Sequence, residues 1–578
     1  MRNIIFLFCI TLIFTLTKDD ILDYDKFYKP QELSSMDMFS ESSKWSFHRY
    51  KQSEHFFVFW EPEFGSDPNS DSVPQHLHVE IGDLLNKLEH FYITNIEKAM
   101  FAILGEGKSY LDKYKMIVFL LYQDAWTIIG SGYDDVIGAL WLSPNTWQLG
   151  SSIIAHELAH SFQYQVYCDQ IYQKLIDPLS FRSGFRYGQA GSNGGNSFWQ
   201  QSAQWQAFQD FPDEMFYGSY FGDWIINNHR HFEHETMRYA SFWLIIYWVQ
   251  KYGNPLVGNI WRNSIYPEDA INTYMRLYKN DDYKVLREEL FDYAMKMATY
   301  DLDQLRLYSL EFVDQYYTLF YRNGEYLQIS YNKCPGATGF NVIQLNVPDL
   351  DGERKVIVDF VGLQPGTELA PEDPGEWMRE DGFGGTVRFY NSVNKGNVGW
   401  RYGFVTINSD DSRTYSEVFS KSRDSVHFEV PRNTKKLFLV VQGSPEKYIN
   451  TIWDDNETTD AQFPYKIKLT NTYIKEKTKF QIKKDDANKI SYFRKHTNPD
   501  SEENFYKRRD SEENLTGRLE LLQKLIESEE NNLFNNKNPW DIYYVLHSKI
   551  YLGLDSAMKM NTNKNNYLYG NEDEENEG

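Results

Sequence analysis

The stretch SSIIAHELAHSFQ at residues 151–163 contains the pattern His-Glu-x-x-His. Its apolar residues recur at helical spacing, which predicts an amphipathic helix with one buried face. Because residues four apart lie on one helix face, one turn apart, His156 and His160 can bind the same metal ion. Glu157 is rotated by about 100° from His156 and can point at a water on that ion.

This residue set is typical of metal-assisted peptide hydrolysis. Zinc suits two neutral imidazoles, lowers the pKa of its water and needs a carboxylate to take the proton. We therefore expect His156 and His160 to hold Zn, with Glu157 as the general base that acts on a zinc-bound water. The alternative is a pair of buried histidines whose hydrogen bonds are satisfied by neighbouring side chains.

The motif is part of a longer resemblance, carried by segments spread along the chain. These segments are His156–His160 and residues 53–66, 198–205, 234–240, 399–404 and 430–448. Together they resemble a family of secreted, zincin-like proteins that is usually catalogued only as a domain of unknown function. The resemblance implies a gluzincin-like catalytic domain with an appended β-domain, and it implies no demonstrated substrate.

The third zinc ligand is where the chain departs from this resemblance. The family's helix with the Trp-x-x-x-x-x-Trp pattern carries a glutamate where this chain has Gln200. Since a neutral amide is a weaker ligand than a carboxylate, three interpretations stay open. Gln200 binds the ion weakly, another acid such as Glu214 or Glu235 replaces it, or the protein is a catalytically impaired relative.

Two further side chains are candidates for stabilising the oxyanion that forms when a carbonyl is attacked. They are His234 and Tyr239, in the segment HETMRYA at residues 234–240. Alternatively, His229, His231 and His234 form a solvated, flexible cluster before the next helix.

The overall charge limits the classes of partner. Lys plus Arg is 59 and Asp plus Glu is 82, which gives a net charge of −23. A chain this acidic lacks the basic face that nucleic-acid binding needs, so we expect no nucleic-acid partner. Aromatic residues make up 17% of the chain. Among them, Trp400, Tyr402 and Trp453 could stack on a glycan, although core positions are commoner for such residues.

The first residues predict export from the cytosol. Arg2 precedes an apolar run at residues 4–16, and fairly small residues at positions 15 and 17 come just before charged ones. This layout is that of a secretory signal peptide at residues 1–17, with an uncleaved anchor as the alternative. The apolar segment at 239–249 is too short to span a membrane and is expected to be a buried helix, so no stable membrane span should remain after cleavage.

Cysteine usage excludes some architectures. After Cys9 leaves with the signal peptide, only Cys168 and Cys334 remain. Two cysteines are too few for a disulfide framework or an all-cysteine zinc site, and they allow one bridge at most.

The pattern of the chain predicts an α+β fold. Apolar runs at residues 54–60, 114–121 and 138–142 indicate strands, and helical spacing dominates residues 151–320. The strand at 138–142 is expected to be the sheet edge that pairs with an extended peptide substrate. Short alternating runs after residue 330 indicate a β-sandwich.

These patterns divide the chain after the signal peptide into four segments. They are a lead-in or pro-region at 18–50, a zincin-like metallopeptidase domain at 51–328, a β-sandwich at 329–480 and a charged helical tail at 481–578. The sequence therefore predicts a secreted zinc metallopeptidase that acts on a peptide or protein substrate. The alternative is a catalytically impaired relative that binds a glycan or a protein.

Overall fold

The fold is taken from a computed structural model, which describes ten stretches of the chain. They are residues 24–148, 152–176, 184–185, 196–217, 219–306, 312–316, 318–368, 390–391, 396–450 and 460–475. All of them belong to one unit, Met1–Glu476. The predicted signal peptide at 1–17 and the predicted charged tail at 481–578 lie outside the described residues.

The first sheet has five strands in the order β1-β2-β3-β5-β4. The strands are β1 (Tyr50–Gln52), β2 (Phe56–Trp60), β3 (Met116–Leu120), β4 (Ile128–Tyr133) and β5 (Ile137–Leu142). β2, β3 and β5 run parallel to one another, whereas β1 and β4 are antiparallel to their neighbours. Every residue of β2 and β3 is buried, as expected for continuous apolar runs in a sheet covered on both faces.

The edge of this sheet differs from the sequence-based expectation. The strand predicted at 138–142 is β5, which lies between β3 and β4, so the prediction that it forms the edge is wrong. The edge strand on this side of the sheet is β4, whose sequence IIGSGY is not a typical strand pattern because glycine is depleted in strands.

Ten described α-helices accompany the sheets. They are α1 (Ile81–Tyr92), α2 (Pro144–Gln148), α3 (Ser152–Ile176), α4 (Asn196–Phe208), α5 (Glu214–Tyr217), α6 (Ser219–Asn227), α7 (Trp243–Tyr252), α8 (Pro255–Asn263), α9 (Ala270–Lys279) and α10 (Tyr283–Met297). Residues 243–249 of the apolar segment predicted at 239–249 fall in α7, and residues 243–248 are buried. Among the described helices, none combines the length and the apolar character needed to cross a membrane.

Helix α3 packs directly against β4 and β5, and glycines make this close approach possible. A Cβ atom on Gly130 would lie 1.6 Å from the backbone oxygen of Glu157. On Gly132 it would lie 2.2 Å from the Tyr164 ring. Gly130 therefore lets the backbone of the helix meet the edge strand directly, and Gly132 makes room for the Tyr164 ring on the strand.

The rest of the described chain forms two antiparallel sheets. Their strands are β6 (Phe320–Asn323), β7 (Tyr326–Ile329), β8 (Phe340–Leu345), β9 (Lys355–Gly362), β10 (Trp400–Asn408), β11 (Arg413–Tyr415), β12 (Arg423–Glu429), β13 (Thr434–Gly443) and β14 (Tyr465–Thr470). One sheet has the order β11-β10-β13-β8 and the other β12-β9-β14-β7-β6. Together with the helices and the first sheet, they confirm the prediction of a mixed α+β fold.

The two antiparallel sheets face each other across a shared core. Phe360 of β9 stacks on Tyr402 of β10 at 4.0 Å between ring centroids, and Phe404 stacks on Phe428 at 5.3 Å. Trp400 and Tyr402 are buried in this core, so neither can stack on a glycan. Trp453, the third aromatic residue considered for sugar binding, lies outside the described residues.

The four-stranded sheet is buried on both faces. Its second face places Phe340, Val405 and Phe438 in the same hydrophobic core as the helices and the first sheet. All nine residues of β10 are consequently buried. This packing makes the C-terminal sheets a continuation of the helical part of the fold.

Residues 24–49 also belong to the core. Phe27, Leu33 and Trp45 are buried against the first sheet. The Tyr28 hydroxyl donates a hydrogen bond of 2.9 Å to Asp134, next to the end of β4. Removing this segment would therefore uncover apolar surface of the first sheet.

The two cysteines are separate, buried thiols. Cys168 lies on α3 and Cys334 follows β7, and neither forms a disulfide. Burial raises the pKa of both thiols well above the ordinary value, so they are poor nucleophiles.

We expect Gly130→Ala to destabilise the fold by about 3 kcal/mol, because the added methyl group would overlap the α3 backbone. Ser131→Ala is the matched control on the same strand, since alternate strand residues point to opposite faces. Urea unfolding followed by circular dichroism measures both. Equal stability of the two variants would contradict the close approach of α3 and β4.

Asp169, a buried residue on α3, should make stability depend on pH. Burial raises its pKa from 3.8 to about 7, so the folded state holds a proton that the unfolded state releases. The stabilisation from this group is complete below about pH 4 and decreases as pH rises toward 7, by an amount on the order of 4 kcal/mol. The unfolding free energy of wild type should therefore fall relative to that of Asp169→Asn over this range. A constant difference would contradict the raised pKa.

Candidate metal and catalytic site

The candidate site lies between α3 and α4. Helix α3 presents His156 and His160 on one face, as their spacing predicts, and α4 packs against it with Gln200 directed at the two rings. All three side chains are more than nine-tenths buried. The predicted motif and the predicted third-ligand position therefore meet in space.

Three potential ligand atoms converge at this point. Oε1 of Gln200 lies 2.9 Å from Nε2 of His156 and 3.1 Å from Nε2 of His160. The two Nε2 atoms are 3.2 Å apart. In a tetrahedral zinc site with metal–nitrogen bonds of about 2.0–2.1 Å, ligand atoms are separated by ~3.3 Å. The triangle thus has nearly the size of one face of a zinc coordination shell.

Two further glutamines, Gln204 and Gln163, determine which ring nitrogen of each histidine carries the proton. Nδ1 of His156 faces Oε1 of Gln204 at 3.0 Å, and Nδ1 of His160 faces Oε1 of Gln163 at 2.8 Å. Since an amide oxygen can only accept, each Nδ1 carries the proton. Each Nε2 then has a free lone pair directed at the centre of the triangle. Metal-binding histidines are typically oriented in this way.

The Gln163 amide is itself held in one orientation. Its Nε2 donates to the Trp199 carbonyl at 3.0 Å and to the Ser202 hydroxyl at 3.1 Å. Because Nε2 must face these acceptors, Oε1 must face His160. The tautomer of His160 is therefore set by contacts between the two helices.

The ring of His156 is suited to bind a cation rather than to carry a charge itself. Burial, together with the neighbouring His160, lowers the pKa of His156 to about 3. The His156 imidazole is consequently neutral at neutral pH. Three lone-pair atoms that meet without a proton between them repel one another, and a divalent metal ion would relieve this repulsion.

Glu157 lies at the position expected for a general base. A carboxylate oxygen of Glu157 and one nitrogen from each of the two histidines lie within 4.8 Å of one another. The backbone N–H of Gly130 donates to Oε2 of Glu157 at 3.2 Å. Burial raises the pKa of this carboxyl group, which makes it a stronger base than a solvated glutamate.

The two acids considered as alternative third ligands, Glu214 and Glu235, contact other residues. Glu214 accepts a hydrogen bond from Ser152 at the start of α3. Glu235 lies 3.8 Å from the ring of His234. Within the described part of the chain, the acidic and histidine ligands that form a group are His156, Glu157 and His160 alone. Gln200 is therefore the residue whose oxygen completes the triangle.

Tyr239 lies beside the site. Its ring centroid is 6.0 Å from that of His156, and it stacks on Tyr220 at 5.1 Å. The Arg238 guanidinium lies 5.4 Å from the same ring. Tyr239 is half-buried, so its position fits a group that could reach a bound carbonyl.

His234 belongs to a different set of contacts. Its Nδ1 accepts from the Thr236 backbone N–H at 3.1 Å, and its Nε2 lies 2.8 Å from Asp460. His234 is 2% exposed, and His229 and His231 are also buried. The expectation of a solvated, flexible histidine cluster is therefore wrong, because the segment is enclosed by α4 and the C-terminal sheets.

Three contributors to the site were missed in the sequence. Gln163 follows His160 by three residues and Gln204 follows Gln200 by four, which are same-face spacings on a helix. This spacing was a usable signal for both glutamines. Gly130 carried no such signal, because its N–H reaches Glu157 only through the packing of β4 on α3.

The fold and the site define a mixed α+β protein with a buried His-His-Gln triangle that could hold a metal ion beside a carboxylate. The chain belongs to the family of unknown function DUF6055, whose model matches residues 20–476. This confirms the expected membership of a family catalogued as a domain of unknown function. A search of curated proteins finds no match to the chain.

Gln204→Leu tests whether the hydrogen bond from His156 to Gln204 orients the ring for metal binding. Without the amide oxygen, Nδ1 of His156 loses its acceptor, and we expect zinc affinity to fall by about 10–100-fold. Gln173→Leu is the matched control, because Gln173 is on α3 but donates to the distant Lys108 carbonyl. Competition with a chromogenic chelator measures affinity. Equal affinities in both variants would contradict an orienting role for Gln204.

Proposed function

We propose that this protein is a secreted, zincin-like zinc peptidase. The proposal rests chiefly on one observation, the convergence of His156 Nε2, His160 Nε2 and Gln200 Oε1 beside the Glu157 carboxylate. In this proposal His156, His160 and Gln200 hold zinc, and Glu157 is the general base.

The three candidate ligand atoms are of types that zinc accepts. Two neutral imidazoles and one carbonyl oxygen are acceptable zinc ligands, and three protein ligands leave the fourth position open, as catalytic zinc sites require. Zinc bound there would supply Lewis-acid activation of water and of a substrate carbonyl. The protein would contribute binding, orientation and proton transfer.

Glu157 is arranged for proton transfer. The Gly130 N–H fixes one carboxylate oxygen, so the carboxylate keeps a single orientation toward the two histidines. Its raised pKa lets it accept a proton from water during attack and then hand the proton to the leaving amine. Tyr239, beside His156, would stabilise the negative charge that develops on the carbonyl oxygen.

The edge strand β4 offers a place for an extended peptide. In an antiparallel pair, alternate residues turn their backbone groups away from the partner strand. The bond from Gly130 N–H to Glu157 shows that Gly130 is one of the residues turned away from β5. A peptide that adds to this edge by strand pairing would therefore lie next to Glu157.

The amide of Gln200 supports an alternative, in which the protein is a non-catalytic binding module. An amide can turn its NH₂ group toward the two Nε2 atoms and donate to both, which satisfies the triangle without an ion. A carboxylate at this position could not do so. The alternative is thus a protein that keeps the fold, binds zinc weakly and acts as a secreted binding module for a protein or a glycan.

The N-terminal sequence supports a location outside the cytosol. The predicted signal peptide at residues 1–17 supports export. Export would place the protein where peptide and protein substrates are available outside the cell.

Zinc content of the purified protein tests the proposal. We expect close to one zinc per chain in wild type, and Glu157→Gln should keep the ion while lowering peptidase activity by at least about 100-fold. Gln200→Glu should bind zinc more tightly, because a carboxylate is the stronger ligand.

Gln173→Glu serves as the control for added charge, because it introduces the same group on α3 away from the triangle. A wild type that binds no zinc, with zinc restored by Gln200→Glu, would favour the non-catalytic alternative. A Gln200→Glu variant that also binds no zinc would overturn the metal site altogether.

A further inference from the structure

The three ligand atoms that meet at the triangle carry no formal charge. The Gln200 side chain is an amide, and burial keeps the His156 imidazole neutral. Nδ1 of His160 faces Gln163, which leaves Nε2 of that ring to act as a neutral lone-pair donor. A divalent ion held by these three atoms would keep its full charge of two, whereas a carboxylate at position 200 would cancel one unit of it.

Glu157 supplies the carboxylate closest to these atoms. Within the described part of the chain, it is the one acidic residue in the group of potential ligands. An ionised Glu157 would balance one of the two positive charges of a bound ion and leave the other uncompensated. Buried surroundings stabilise a net charge much less than water does. The metal-bound group therefore favours a ligand that brings one negative charge.

Glu157 also lies on the side from which a ligand can approach. His156 is 8% exposed and His160 is 9% exposed, whereas Glu157 is only partly buried. The Gly130 N–H donates to Oε2 of Glu157 at 3.2 Å, which places this carboxylate at the edge of β4. Because Glu157 contacts the edge strand and also adjoins the triangle, a peptide that pairs with β4 can reach the ligand atoms with its end.

We propose that the site binds a peptide with a free C-terminal carboxylate, whose backbone pairs with β4 and whose carboxylate meets the triangle beside Glu157. This binding rests on the metal site of the proposed function, but it does not require that a peptide bond be cleaved. The carboxylate would bring the negative charge that the amide of Gln200 does not supply. The recognised partner is therefore defined by the chemistry of its chain end.

The neutral ligand at position 200 also has a consequence for turnover. Hydrolysis of a peptide bond adds the oxygen of water to the carbonyl carbon and leaves a new carboxylate on the N-terminal product. A site with Gln200 should hold this product more tightly than a site with a glutamate there, because one more positive charge attracts it. Release of the product would then limit the rate, and the protein would retain peptide ends after cleavage.

Fluorescence anisotropy of the full chain tests this binding. The probe is a fluorescein-labelled pentapeptide of alternating threonine and valine, made once with a free C-terminal carboxylate and once with a C-terminal amide. We expect zinc-loaded wild type to bind the free acid at least about tenfold more tightly than the amide. Removing zinc with a chelator should abolish this preference, because the charge of the ion is its source. Zinc content and integrity of the probe are measured in every sample.

Two variants and one competitor separate the causes of the preference. Gln200→Glu should reduce it to about threefold or less, because the added carboxylate already supplies the negative charge. Gln173→Glu introduces the same group on α3 away from the triangle and should keep the wild-type preference. Sodium acetate should compete only at concentrations at least about 100-fold above those of the peptide acid, since acetate cannot pair with β4.

Equal affinities of zinc-loaded wild type for the acid and the amide would overturn this proposal and leave the metal site intact. A wild type that takes up no zinc would overturn both the proposal and the metal site. Acetate that competes as well as the peptide acid would overturn the assignment to a peptide end. Should Gln200→Glu fail to fold, a preference that survives removal of zinc overturns the proposal instead.

Discussion

The close packing of helix α3 on the edge strand β4 is the constraint on which the site depends. Gly130 has no side chain to separate the helix backbone from the strand, and Gly132 leaves room for the Tyr164 ring of the same helix. This contact brings the Gly130 N–H to Glu157 and holds the carboxylate beside the two histidines. A larger residue at either glycine would move α3 and with it every group on its inner face.

Amide side chains then order the interior between α3 and α4. Gln163 and Gln204 each accept a hydrogen bond from Nδ1–H of one histidine, and Gln200 directs its oxygen at both rings. Burying so many polar groups is unfavourable unless each is hydrogen-bonded. The network meets this demand through contacts such as that of Gln163 with Trp199, and it thereby specifies one arrangement of the two helices. The glutamines are thus both structural elements and determinants of the ligand geometry.

Burial also determines the charge at the triangle. It keeps the imidazole of His156 uncharged, so that its Nε2 presents a lone pair to the Gln200 side chain. A ring without a charge can accept a metal ion, whereas a protonated ring has no lone pair to offer.

The sequence by itself determined the helix with His156, Glu157 and His160, the buried strands β2 and β3, and the mixed α+β class. These features depend on local periodicity, which one short segment contains completely. Position 200 was singled out by the resemblance to a family and not by periodicity. Tertiary structure alone decided that β4 rather than β5 forms the edge, that Gln200 rather than Glu214 or Glu235 meets the two rings, and that the histidines near residue 230 are buried. The physical reason is that these outcomes depend on contacts between segments far apart in the chain, and spacing within a segment carries no information about which distant surfaces will pack together.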